Sequence, residues 1–111
     1  MQINDEKKGS VLVLSINGRV EMLTSPQLKE AVDAHISRNE LQILFDMSGL
    51  DYISSSGLGV LLHAAKILQV KNGRVMLCAL KPHIREVFNI CGFDKVFPIF
   101  ETREQAITAF R

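Results

Sequence analysis

Residues 41–47, LQILFDM, are apolar at Leu41, Ile43, Leu44, Phe45 and Met47. A strand of that kind presents hydrophobic side chains on both faces, so it has to sit inside a sheet with both faces covered. The rest of the chain supplies the covers. Strand-like runs alternate with segments of helical spacing, and such alternation implies a sheet with parallel pairs and helices packed on it.

Residues 11–16, VLVLSI, read as a strand paired with residues 2–6 through the KKGS turn, with Gly18 at its end. Thr24-Ser25-Pro26-Gln27 marks a helix start. It has a hydroxyl cap, a proline in the first turn and a glutamine three residues after Thr24. Leu28, Ala31, Val32 and Ile36 then share one helical face, and Arg38-Asn39 closes the helix. A second helix carries Leu58, Leu61, Leu62, Ala65 and Leu68 and stops at Asn72-Gly73. Residues 75–80 are the next strand. Pro82 opens a third helix with Ile84, Val87, Phe88 and Cys91 inward, closed by Gly92. Residues 96–99 form a short strand. Thr102 with Gln105 repeats the capping pattern for a terminal helix with Ala106, Ile107 and Phe110 inward. The expected class is α/β: one domain over 1–111, a mixed sheet of four to five strands, about four helices, order ββαβαβαβα.

Composition narrows the function. The chain has 111 residues, is 47% hydrophobic and has a net charge of +1 from 13 basic and 12 acidic residues. No basic block marks a nucleic-acid footprint. The longest apolar runs are too short to span a bilayer. The first ten residues, MQINDEKKGS, do not read as a secretory signal. Cys78 and Cys91 form no CxxC pair and read as reduced structural thiols of a cytoplasmic protein. His35, His63 and His83 lack metal-ligand spacing to one another and to the cysteines, so no metal site and no cofactor are expected.

Ser54-Ser55-Ser56-Gly57 joins the central strand to the second helix. A helix N-terminus offers free N–H groups and the positive end of a dipole, so it accepts a hydroxyl cap or a phosphate. Ser56 is the expected cap. A serine nucleophile needs a base in reach, and Ser54 to Gly59 does not fit GxSxG. Gly57-x-Gly59 lacks the rest of a phosphate-loop motif. The two glycines fit close backbone approach by a neighbouring loop or a partner protein. A phosphorylation switch needs only an exposed serine, because phosphate adds about −1.5 to −2 charge and three acceptor oxygens.

LFDMSGLDYISSSGLGVLL resembles the phosphorylation segment of STAS-domain anti-sigma factor antagonists. That family shows a strand ending in an acidic residue, a loop, then aspartate or serine, serine, a small residue, glycine and leucine opening a helix. Asp46, Ser54, Ser55, Gly57, Leu58 and Gly59 fall on those positions. Gly18-Arg19-Val20-Glu21 before Thr24-Ser25-Pro26 resembles the family's G-x-[hydrophobic]-D segment, with Glu21 in place of the usual aspartate. Residues 90–99, ICGFDKVFPI, resemble its C-terminal signature.

The resemblance implies a non-enzyme that binds a GHKL-type serine kinase, itself an anti-sigma factor, when unphosphorylated. Phosphorylation at Ser55 releases it, and a PP2C-type phosphatase restores it. No direct nucleic-acid or membrane contact is implied. Loops at the carboxyl ends of neighbouring parallel strands cluster. Glu21, Thr24, Ser54, Ser55, Ser56 and Gly57 are therefore expected to form one exposed partner-binding patch, continued by Gly59 and His63. The alternatives are a STAS module for a small ligand or nucleotide, and a STAS component of a regulatory complex that involves no sigma factor.

Overall fold

Side chains alternate with a period of two along the central strands, and this sorts the core into two layers. The computed structural model describes residues 1–110. Its strands are β1 (Gln2–Lys8), β2 (Val11–Val20), β3 (Gln42–Asp46), β4 (Leu50–Ile53), β5 (Arg74–Cys78) and β6 (Ile99–Phe100). The helices are α1 (Ser25–Ser37), α2 (Ser55–Val70), α3 (Pro82–Ile90) and α4 (Arg103–Ala109). Leu12, Leu14, Ile16, Ile43, Phe45, Val75 and Leu77 point to one face of the sheet. There they meet Leu28 and Val32 of α1, Leu61, Ala64 and Leu68 of α2, and Ile84 and Phe88 of α3. Val11, Val13, Leu44, Met76 and Cys78 point to the other face, where Ala106 and Phe110 cover them.

The sheet runs β1-β2-β3-β5-β6, with β4 on β2. β1 is antiparallel to β2, and the other pairs are parallel. The doubly apolar strand β3 is central, as its composition requires. The expected element order holds, with one addition. The segment 48–54, read as a loop, contains β4, which pairs with Gly18, Arg19 and Val20 of β2. Gly18 therefore does not end β2. Its φ of 93° and a register shift at Gly18/Arg19 mark a bulge, and its N–H donates to the Gly49 carbonyl at 2.8 Å. A bulge at a glycine lets one long strand pair first with β3 and then with β4.

Three smaller expectations change. Cys91 is exposed beyond the end of α3, because that helix closes at Ile90. Ala64 takes the inner position on α2, with Leu62 and Ala65 half-buried at its flanks. Residues 93–95 form a 3₁₀ turn, which moves the last strand to Ile99–Phe100. That turn brings Phe93 and Phe97 against Phe88, with ring centroids 6.1 to 6.4 Å apart in edge-on geometry.

A partly buried polar cluster ties the terminal helix to the sheet. The Arg103 guanidinium donates to Asp46 Oδ2 from Nη2 at 2.8 Å and from Nε at 3.1 Å. It also reaches Glu6 at 3.0 Å and the Ser15 hydroxyl at 3.3 Å. Thr102 caps α4 as its spacing predicts, with its Oγ1 accepting from the Gln105 N–H at 3.1 Å. Burial pushes the Cys78 thiol up to about 12, so it stays protonated at neutral pH. Among the described residues, no helix is long and apolar enough to cross a membrane.

Candidate functional site

β2 and β4 end side by side, and α1 and α2 start from the loops that leave them. The Ser54 N–H donates to the Val20 carbonyl at 2.8 Å, so the chain leaves the ladder and enters α2 at the next residue. Ser54 has extended backbone, φ −81° and ψ 169°, and its Oγ accepts from the Gly57 N–H at 3.2 Å. Ser54 is therefore the helix cap, and the expectation for Ser56 is corrected. A cap must have extended backbone, and the end of β4 imposes that at Ser54.

The Ser56 hydroxyl lies 2.9 Å from Ser54 Oγ and 3.1 Å from Ser25 Oγ, and Ser25 donates to the Met22 carbonyl at 3.1 Å. Each hydroxyl has one proton, and a carbonyl can only accept. Gly57 N–H donates to Ser54, Ser54 and Ser56 share one bond that either can donate, and the single Ser25 proton faces both Ser56 Oγ and the Met22 carbonyl. This relay joins the start of α2 to the start of α1. It uses three of the four serine hydroxyls present. Ser55 is left exposed at the first position of α2, and among the described residues its hydroxyl has no hydrogen-bond partner.

Thr24 does not cap α1 with its side chain, contrary to the capping-box reading. Its backbone is in the helical region, φ −100° and ψ −16°, so its Oγ1 turns back into the preceding loop. There it accepts from the Glu21 N–H at 2.8 Å. The Gln27 N–H bonds the Thr24 carbonyl at 3.0 Å. Thr24 is thus the clasp of the loop that presents Glu21, Met22 and Leu23.

That loop and the serine turn enclose an open groove of about 360 Å³, lined by Arg19, Glu21, Met22, Tyr52, Ser54, Ser55 and Ser56. The residues that sequence reasoning had not singled out are Arg19, Met22, Leu23 and Tyr52. Arg19 and Tyr52 are cross-strand partners in the β2–β4 ladder. The guanidinium lies 4.5 Å above the Tyr52 ring, and its Nε donates to Glu21 Oε1 at 2.8 Å. Met22 is 73% exposed and Leu23 is 91% exposed. Two adjacent apolar side chains held in water beside a groove suit burial against a partner.

Gly57 is buried, which corrects its expected place on the exposed patch. A Cβ there would lie 2.7 Å from Val20 Cγ1 and 2.8 Å from Ile53 Cγ1, so the glycine allows α2 to approach the ends of β2 and β4. Gly57→Ala is expected to cost about 1–3 kcal/mol by overpacking, and Gly57→Arg more. Thermal unfolding checks this, and an unchanged midpoint in Gly57→Arg would contradict it. Gly59 is exposed, with nothing within 4 Å of a built Cβ, so α2 offers open backbone there.

His63, one turn further on, is turned towards α1, with Nε2 3.4 Å from Asp33 Oδ1. Lys29, followed by His63, holds the Asp33 carboxyl below its ordinary value against a smaller opposing effect of burial. His63 is thus engaged away from Ser55, and Glu21, the groove's carboxylate, is paired with Arg19. Among the described residues neither His63 nor Glu21 is hydrogen-bonded to the Ser55 hydroxyl. No group of three metal-ligating side chains is found among the described residues.

The STAS domain model matches residues 2–106, and the chain belongs to that family. It is 40% identical over 111 residues to BtrV of Bordetella bronchiseptica, whose name is of the anti-sigma factor antagonist class, covering 100% of this chain and 96% of that one. It is 28% identical over 109 residues to the anti-sigma F factor antagonist of Paenibacillus polymyxa, covering 97% and 93%. The crystal structure of an anti-sigma factor antagonist from Mycobacterium paratuberculosis superposes with a TM-score of 0.91 at 29% identity, covering 99% of this chain and 93% of that one. These relatives carry the names of regulators.

Proposed function

We propose that this protein is an anti-sigma factor antagonist that works by partner switching in the cytoplasm. Unmodified, it binds a GHKL-type serine kinase that is also an anti-sigma factor and so frees the kinase's other client. The kinase transfers the γ-phosphoryl group of ATP to Ser55. The Oγ–P bond forms, the bond to the β-phosphate oxygen breaks, ADP leaves, and the hydroxyl proton passes to a base of the kinase. A PP2C-type phosphatase returns the hydroxyl by hydrolysis. ATP, metal and catalytic groups all belong to the partners, and this chain is the substrate.

The observation that supports this reading is the free Ser55 hydroxyl at the mouth of the groove, beside two serines whose hydroxyls are already hydrogen-bonded. The docking surface includes Glu21, Ser54, Ser55 and Ser56, the loop clasped by Thr24, the open face of α2 at Gly59, and His63. Met22 and Leu23 supply its apolar contacts. Incubation with the cognate kinase and ATP, then mass spectrometry of the 41–66 peptide, tests the proposal. An unmodified peptide after full exposure to a kinase that binds the protein would overturn it.

Phosphorylation acts here by blocking docking, and it leaves the fold intact. A phosphate gives this nearly neutral protein a net negative charge, and its hydration opposes burial in an interface. The same helix end tolerates an anion. Ser55→Asp is therefore expected to keep its far-UV spectrum and lose affinity for the kinase. Melting many degrees lower would point to unfolding as the switch.

A further inference from the structure

We propose that Arg19 receives the phosphate carried by Ser55, so that modification moves its guanidinium from Glu21 and Tyr52 onto the new dianion. The inference rests on the reading of Ser55 as phosphoacceptor and adds how the modified site rearranges. Arg19 and Ser55 line the same groove, and Arg19 is the one cation among its lining residues. The backbone of Arg19 is fixed in the ladder opposite Tyr52, so only the side chain has to move.

Its present partners hold it loosely. In the ion pair with Glu21 the side chains are 57% and 51% exposed, and such pairs contribute little. The Tyr52 ring beneath the guanidinium is itself 41% exposed. A phosphate offers about twice the charge of a carboxylate and oxygens that match the guanidinium fork. The Ser55 side chain is free to turn towards it. The neighbouring cation outside the groove, Lys81, is paired with Asp51 across the β4–α3 contact, and His83 bonds the Asp51 carbonyl at 2.7 Å. They leave Arg19 as the group able to respond.

The consequence is a change of surface with no covalent change beyond the phosphorylation. Glu21 loses its counter-ion and faces the phosphate across the groove. The Tyr52 ring loses its cover. The partner-facing strip from Tyr52 to Met22 then carries unpaired negative charge and a different shape. The hydroxyl relay through Ser54, Ser56 and Ser25 does not involve Arg19 and stays in place.

The test uses the full chain with phosphoserine encoded at position 55, so it needs no kinase. The second ionisation of the phosphate is followed by ³¹P NMR in the parent, in Arg19→Gln and in Lys81→Gln. The parent midpoint is expected about half a unit to one unit below that of Arg19→Gln, because a bound guanidinium favours the dianion. Lys81→Gln should shift it far less. The chain has one tyrosine and no tryptophan, so its intrinsic emission reports Tyr52. That emission should change between the unmodified and phosphorylated parent and stay constant in Arg19→Gln. Indistinguishable midpoints in parent and Arg19→Gln, or equal shifts in Arg19→Gln and Lys81→Gln, would overturn the proposal. A kinase that leaves Ser55 unmodified would count against the proposed function alone.

Discussion

A Ser55→Ala protein is expected to take up no phosphate from its cognate kinase and ATP, while Ser54→Ala and Ser56→Ala keep most of theirs. The three serines are chemically alike and adjacent, so the difference comes from what their hydroxyls already do. Ser54 Oγ accepts the Gly57 N–H and sits 2.9 Å from Ser56 Oγ, which in turn meets Ser25. To present either of these to a kinase, the start of α2 would have to open. Ser55 needs no such opening. The variants separate on a second axis as well. Ser54→Ala loses the helix cap and should cost about 0.5–2 kcal/mol, read as a lower unfolding midpoint. Ser55→Ala removes no hydrogen bond within the described residues and should melt close to the parent. Full incorporation in Ser55→Ala would sink the assignment, and loss of incorporation in Ser54→Ala alone would move it to that residue.

A large stability effect is also expected at Asp46. Its side chain is 10% exposed and that of Arg103 30% exposed, so the pair lies largely out of water. Removing one member leaves the other without its counter-charge, which costs several kcal/mol when the pair is fully buried. Arg103 keeps some contact with solvent and with Glu6, so Asp46→Ala is assigned about 2–3 kcal/mol. That corresponds to roughly 10 °C or more in the unfolding midpoint of a domain of this size.

The pH dependence follows from the same geometry. Burial alone would raise the Asp46 carboxyl, but the Ser48 N–H and the Arg103 guanidinium outweigh it and hold it below its ordinary 3.8. A carboxyl depressed in the folded state stabilises the protein above its unfolded-state value. That contribution is lost as the pH falls through the folded value. The parent should therefore lose stability below about pH 4, and Asp46→Asn should show a smaller loss over the same interval. Denaturant unfolding at several pH values checks both statements. A cost below about 0.5 kcal/mol at neutral pH would show that α4 is held by its apolar contacts alone.

Why α4 needs that anchor is visible in its length. It has 7 residues and buries Ala106, with Phe110 just beyond it. A helix so short has little intrinsic stability. Thr102 at its start and Arg103 in its first turn supply what length does not. Arg74 holds the other end, donating to the Phe110 carbonyl at 2.7 Å.

The local order of this protein is written in its sequence. Apolar runs in residues 11–16, 41–47 and 75–80 and helical spacing from Leu28 to Ile36 and from Leu58 to Leu68 require a covered parallel sheet. The family motif at 54–59 marks the serine turn. Those signals are local, since each strand or helix carries its own apolar run or spacing. The sequence did not disclose the pairings between segments far apart. β4 has four residues, too few to show a period, and it exists because a bulge at Gly18 lets β2 extend past β3. From that one pairing follow the Arg19–Tyr52 contact, the extended backbone that makes Ser54 the cap, and the burial of Gly57 between Val20 and Ile53. Which of three identical hydroxyls stays free is likewise a tertiary matter. Ser25 lies 31 positions from Ser56, and only the packing of α1 beside α2 brings their oxygens to 3.1 Å.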